Sequence, residues 1–95
     1  MSRPLSVEFE WDEDKRRANI EKHGLDFEDA SAVFDGRPVF TSTNRRDEEI
    51  RNVTTAIYLE RYVTVIWTLR EEKIRIISMR RTRDAEKRKY RQVHS

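Results

Sequence analysis

Three runs of alternating residues in the second half of the chain constrain its fold more than any other feature. In 50–59, Val53, Thr55, Ile57 and Leu59 alternate with Asn52, Thr54, Ala56 and Tyr58; in 62–69, Val63, Val65, Trp67 and Leu69 alternate with Thr64, Ile66 and Thr68; residues 74–80 read IRIISMR. A period of two sends successive side chains to opposite faces of a sheet, so each run predicts a strand. Glu60-Arg61 is short enough for a hairpin connection, although it lacks the glycine or asparagine that two-residue turns favour, and Glu71-Glu72-Lys73 joins the last two strands. Strict alternation puts Arg75 on one face with Ile77, Met79 and Arg81, and Arg80 on the other with Ile74, Ile76 and Ser78.

The first half carries helix punctuation. VEFEW at 7–11 alternates apolar and acidic residues and predicts a short edge strand with Val7, Phe9 and Trp11 on one face. Asp12 then caps a polar helix over 13–23, with acids in its first turn, Lys22 and His23 in its last, and Gly24 after it. A second helix is expected from Asp26 to about Phe34, with Phe27, Ala30, Val33 and Phe34 as core positions and Gly36 as its stop. Residues 38–43 predict a weak strand and TNRRDEE at 43–49 a polar loop. Thr82 or Asp84 starts a last helix that ends near Val93 and carries Tyr90. The expectation is an α+β fold in the order β-α-α-β-β-β-β-α, an antiparallel sheet with helices packed on it, as one domain over 1–95, with Trp11 and Trp67 in its core.

Charge is distributed unevenly. Residues 70–91 hold ten Lys or Arg against four Asp or Glu, a balance of +6, so the rest of the chain carries −4 to give the net +2. A basic end on an acidic body suits a polyanion, with affinity that falls as salt rises. There is no cysteine, which excludes disulfides and thiolate zinc sites, and two histidines make a catalytic metal site a poor fit; no cofactor is expected. No apolar run reaches the roughly 20 residues of a membrane span and no signal-peptide core is present, so a cytoplasmic protein is expected.

An arginine set among apolar strand residues needs a buried carboxylate or an incoming anion as partner, and Glu10, Glu49 and Glu86 are the available acids. RNA cleavage without a metal needs a base for the 2′-hydroxyl proton, cations for the charge on the phosphorane and an acid for the leaving oxygen. His23, Glu49, Lys22, Arg51, Arg75, Arg80 and Tyr90 are residue types that fill those roles. Glu49 and His23 both fit the base.

Three segments together resemble a known family. FEWDEDKRRANIEKHGLDFEDASAVF, DEEIR and RIISMRRTRDAEKRKY, spanning Phe9 to Tyr90, are similar to the BrnT ribonuclease toxins of type II toxin–antitoxin systems. The first segment is the most specific, through F-x-W-D, Lys15, Asn19 and the K-H-G of Lys22, His23 and Gly24. The family usually has S-A-R after the paired isoleucines and an alanine two residues later, where this chain has Met79 and Thr82; a glycine usual in the strand after E-x-R is replaced by the stretch Thr54, Thr55, Ala56.

The resemblance implies a RelE-like fold and a metal-independent endoribonuclease that cuts RNA and inhibits translation. It implies neutralisation by a BrnA-type antitoxin in a hetero-oligomer that reaches promoter DNA only through the antitoxin. The expected catalytic residues are His23, Glu49, Arg51, Arg75 and Arg80; Lys22, Arg81, Arg83 and Tyr90 are expected to contact RNA. The alternatives are a nucleic-acid-binding module that does not cut, or a decayed toxin that only binds its antitoxin.

Overall fold

The computed structural model describes residues 7–95. Its elements are β1 (Phe9–Glu10), α1 (Glu13–His23), α2 (Phe27–Ala30) continued by a 3₁₀ turn (Ser31–Phe34), β2 (Phe40–Arg46), β3 (Glu49–Tyr58), β4 (Arg61–Arg70), β5 (Lys73–Arg81) and α3 (Asp84–His94). They form one five-stranded sheet in the order β1-β5-β4-β3-β2. The α+β class and element order are as expected. The sheet is mostly rather than wholly antiparallel: β1 joins β5 in parallel, Phe9 opposite Ile74 and Glu10 opposite Arg75, which the long excursion between these strands permits.

Local chemistry accounts for the helix ends. The Asp12 carboxylate accepts hydrogen bonds from the Asp14 and Lys15 amides at 2.8 and 3.2 Å, and Gly24 ends α1 at φ 68°, a left-handed conformation that glycine adopts without steric cost. Asp26 caps α2 through the Glu28 amide at 2.9 Å. The single helix expected to reach Phe34 instead tightens to 3₁₀ at Ser31. Phe27, Ala30 and Val33 recur every third residue, a spacing that keeps one face when the turn has three residues, and all three are buried.

The expected loop over 43–49 is instead a hairpin. Thr43 to Arg46 stay in β2, with Arg46 opposite Glu49, and the turn is only Asp47-Glu48. Polar side chains made this segment look like a loop, but β2 is an edge strand whose side chains are mostly exposed, so ladder bonds to β3 decide its conformation. The other two turns are Leu59-Glu60 and Glu71-Glu72, each with two positive φ values (51° and 66°; 54° and 68°). Ordinary L-residues in this conformation cost roughly 1 kcal/mol each. Replacing Glu71→Asn and Glu72→Gly, both exposed, is expected to raise stability by about 1 kcal/mol and Tm by about 5 °C in a circular-dichroism melt. An unchanged Tm would show that the turn is not strained.

The core lies between one sheet face and the α2 segment. Phe27, Ala30 and Val33 pack on Ala56, Val63, Val65, Ile74, Ile76 and Met79, with Phe9, Trp11, Phe34 and Trp67 around them. Both tryptophans thus pack against the core as expected, and Trp67 Nε1 donates to Thr54 Oγ1 at 2.8 Å. α1 is different, because Asn19 is its one buried residue. The Asn19 amide donates to the Met79 carbonyl (2.7 Å) and the Leu25 carbonyl (3.0 Å) and accepts from the Met79 amide (3.3 Å). A side-chain amide thereby bonds the free edge of β5 beyond the two residues that β1 covers.

Candidate functional site

Alternation fails at one place in β5, and the failure builds the site. Ile66 pairs with Ser78 but the next β4 residue, Trp67, pairs with Ile76, which leaves Ile77 as an extra residue. Arg75 lies opposite Thr68 and Arg80 opposite Thr64. Thr64 and Thr68 are four apart in an unbulged strand and share a face, so Arg75 and Arg80 share it too. The expectation that they sit on opposite faces is therefore corrected. Met79 keeps its place in the core on the other side.

The same face receives Glu49, Arg51, Val53 and Thr55 from β3, since Val53 pairs with Ile66. One step beyond the Asn52–Trp67 pair, Arg51 is level with Thr68. A row of polar residues thus crosses the whole sheet: Asn44, Arg51, Thr68, Arg75 and Glu10. Arg51 and Arg75 flank Thr68 two strands apart, roughly 10 Å between backbones. Arg80 lies four β4 residues further along, roughly 13 Å.

Each of the three arginines has a carboxylate partner among the acids that sequence alone made available. Arg51 Nε donates to Glu49 Oε1 at 3.1 Å and Arg75 Nη1 to Glu10 Oε2 at 3.3 Å. Arg80 is held at both ends by Glu86, Nη1 to Oε1 at 3.0 Å and Nη2 to Oε2 at 2.8 Å, and also donates to the Arg81 carbonyl. Glu86 further accepts from the Arg83 amide at 2.9 Å, as the third residue of α3, and from the Thr64 hydroxyl at 3.2 Å. Burial alone pushes the Glu86 carboxyl upward. The Arg80 guanidinium, the Arg83 amide and the Thr64 hydroxyl outweigh it and bring the pKa down to about 2. Thr64 also bonds Thr82 (2.9 Å) and Thr55 (3.3 Å), so Thr82 is tied into this cluster.

α3 crosses only one end of the face. Buried Tyr90 meets Tyr62 edge-on at 5.5 Å and His94 at 4.7 Å, and His94 Nε2 lies 2.7 Å from the Val39 carbonyl oxygen. The remaining expected residues are dispersed. His23 ends α1, half-buried, its imidazole making no hydrogen bond to a described residue, and α1 packs against β5; the structure does not bring His23 to Glu49, Arg51 and Arg75. Lys22 is exposed beside it, Arg81 is exposed at the end of β5, and exposed Arg83 leads into α3. Sequence reading missed Asn19 as the anchor of α1 and the threonines as part of the Glu86 cluster. A buried amide in an otherwise polar helix leaves no periodic signal.

Among the described residues, no helix is long and apolar enough to cross a membrane. A comparison with curated proteins finds no match. The profile of a protein family described as ribonuclease toxin, BrnT, of type II toxin–antitoxin system matches residues 11–86, from Trp11 through Glu86, and so takes in the α1 anchor, the cross-sheet row apart from Glu10, and the acid that holds Arg80. The chain belongs to the BrnT family of type II toxin–antitoxin ribonuclease toxins, which makes RNA its substrate and an antitoxin its partner.

Proposed function

We propose that the open sheet face is the RNA cleft of a metal-independent endoribonuclease, on the strength of one observation: Glu49, Arg51 and Arg75 stand together on a face that α3 leaves uncovered. A guanidinium has five N–H donors, and Arg51 and Arg75 each spend one on their carboxylate, so donors remain for a phosphate between them. Glu49 takes the proton of the ribose 2′-hydroxyl. That oxygen attacks the adjacent phosphorus, Arg51 and Arg75 stabilise the phosphorane, and the 5′-oxygen leaves with a proton from water, giving a cyclic phosphate end. Arg80 directs both of its terminal nitrogens at Glu86 and positions α3 beside the cleft. Lys22, Arg81 and Arg83 contribute outer RNA contacts, Tyr90 acts through packing, and His23 serves the C-terminal end of α1.

In the cell this activity cuts RNA, inhibits translation and is neutralised by a BrnA-type antitoxin in a hetero-oligomer. That complex reaches promoter DNA through the antitoxin.

Incubation with a long RNA in EDTA, with fragment ends mapped, tests the reading. Arg51→Ala and Arg75→Ala are expected to slow cleavage by about 10²-fold or more, and Glu49→Gln by a similar factor, while the variants keep wild-type melting curves. His23→Ala is expected to cut at a near-normal rate. RNA left whole by the wild type would leave a ribosome-dependent, non-cutting or decayed toxin; activity lost in His23→Ala but kept in Glu49→Gln would move the base to His23.

A further inference from the structure

We propose that the corner where β4 begins and β5 passes into α3 is a second anion site, which holds an RNA phosphodiester outside the cleavage site. It is a depression of about 340 Å³ lined by Glu60, Arg61, Tyr62, Arg81, Thr82 and Lys87. The inference rests on the reading of the open sheet face as the RNA cleft.

Its cations differ from Arg51, Arg75 and Arg80 in one respect. Arg51, Arg75 and Arg80 each have a carboxylate within 4.0 Å, whereas Arg61, Arg81 and Lys87 form no ion pair with any described residue. Three unneutralised cations around one depression, with Glu60 the single acid in its lining, repel one another unless an anion joins them. Lys87 is also placed, its Nζ 5.6 Å from the centre of the Tyr62 ring, and that ring is braced from the side by buried Tyr90.

Position favours RNA over an acidic protein segment. Tyr62 is two residues along β4 from Thr64, the residue opposite Arg80, so the corner begins roughly 7 Å beyond Arg80 on the same face. Arg81 pairs with Val63 and lies on the other side of the sheet, so the cations meet at the sheet rim from both faces. α3 covers the sheet at this end, so a strand of RNA seated on the open face reaches the rim by passing alongside α3, where Lys87 stands. The volume suits one phosphate with its sugar and is small for a folded peptide.

The test is fluorescence anisotropy with an uncleavable 2′-O-methyl RNA dodecamer at several salt concentrations, with wild type beside the triple variant Arg61→Ala, Arg81→Ala, Lys87→Ala. Arg61→Glu serves as a single variant that leaves α3 untouched, and melting curves check folding. The triple variant is expected to bind at least about tenfold more weakly and to lower the slope of log affinity against log salt by about 0.7, the value for one lost phosphate contact on a single strand. Arg61→Glu is expected to weaken binding in the same direction. An unchanged slope in folded variants overturns the site. So does intact RNA binding with weakened antitoxin binding, which would assign the corner to the protein partner. A lowered slope together with a wild type that cuts no RNA upholds the site and removes the nuclease reading; cleavage that depends on Arg51 and Arg75 with an unchanged slope does the reverse.

Discussion

Asn19→Leu is expected to destabilise the protein by about 3 kcal/mol and to lower Tm by about 15 °C. The substitution keeps the size of the side chain and removes every partner it supplies. The Met79 carbonyl and amide would lose their side-chain bonds at 2.7 and 3.3 Å, and the Leu25 carbonyl its bond at 3.0 Å. Met79 is fully buried and Asn19 nearly so, which keeps water from substituting. An unsatisfied buried group costs about 1–3 kcal/mol, so two or three of them would take a large share of the roughly 5–15 kcal/mol that holds a small domain together. Urea unfolding of wild type and variant reads the difference directly. A loss below about 1 kcal/mol would mean that α1 is held to β5 by something other than this amide.

Glu86→Gln is expected to cost about 2 kcal/mol at neutral pH, the scale of hydrogen bonds made by a charged group, and to change how stability responds to acid. The Glu86 carboxyl has a pKa of about 2 when folded against an ordinary value of 4.5. A depressed pKa stabilises the fold above the ordinary value and loses that contribution as pH falls from 4.5 toward 2. The gap between wild type and variant should therefore hold above about pH 5, narrow below 4.5 and nearly close at 2. Asp35, brought to about 2 by the Arg37 guanidinium beside it, and Asp26, lowered by Arg16, pull the same way in both proteins and cancel from the comparison. A gap that stays constant from neutral pH to 2 would show that the charge on Glu86 is not what holds α3 to Arg80.

What the sequence revealed follows the range of the forces involved. Caps act within a turn of chain, so Asp12, Gly24 and Asp26 marked helix ends where the structure has them. Burial on one side of a strand acts every second residue, so β3, β4 and β5 were legible to within a residue or so. The hairpin turns came out shifted because Leu59-Glu60 and Glu71-Glu72 adopt positive φ without glycine, the usual mark of such turns. β2 was cut short because the ladder to β3 is a contact between segments that no local pattern records. The largest consequence came from the smallest irregularity. One extra residue, Ile77, reverses the parity between Arg75 and Arg80, and alternation cannot announce its own interruption. The acids were legible as a set of three, but their assignment required the fold: Glu10 to Arg75, Glu49 to Arg51 and Glu86 to Arg80.

The pairing of Arg51, Arg75 and Arg80 with carboxylates has a kinetic consequence. Opposite charges a few ångströms apart cancel at a distance, so the cleft itself projects little field beyond the Debye length of about 8 Å at physiological salt. Long-range attraction falls to the cations near α3 that have no carboxylate partner among the described residues, among them Arg83, Lys87, Arg88, Lys89 and Arg91. Encounter and cleavage are then separable: added salt should slow the arrival of RNA far more than it slows the cut once the strand is seated.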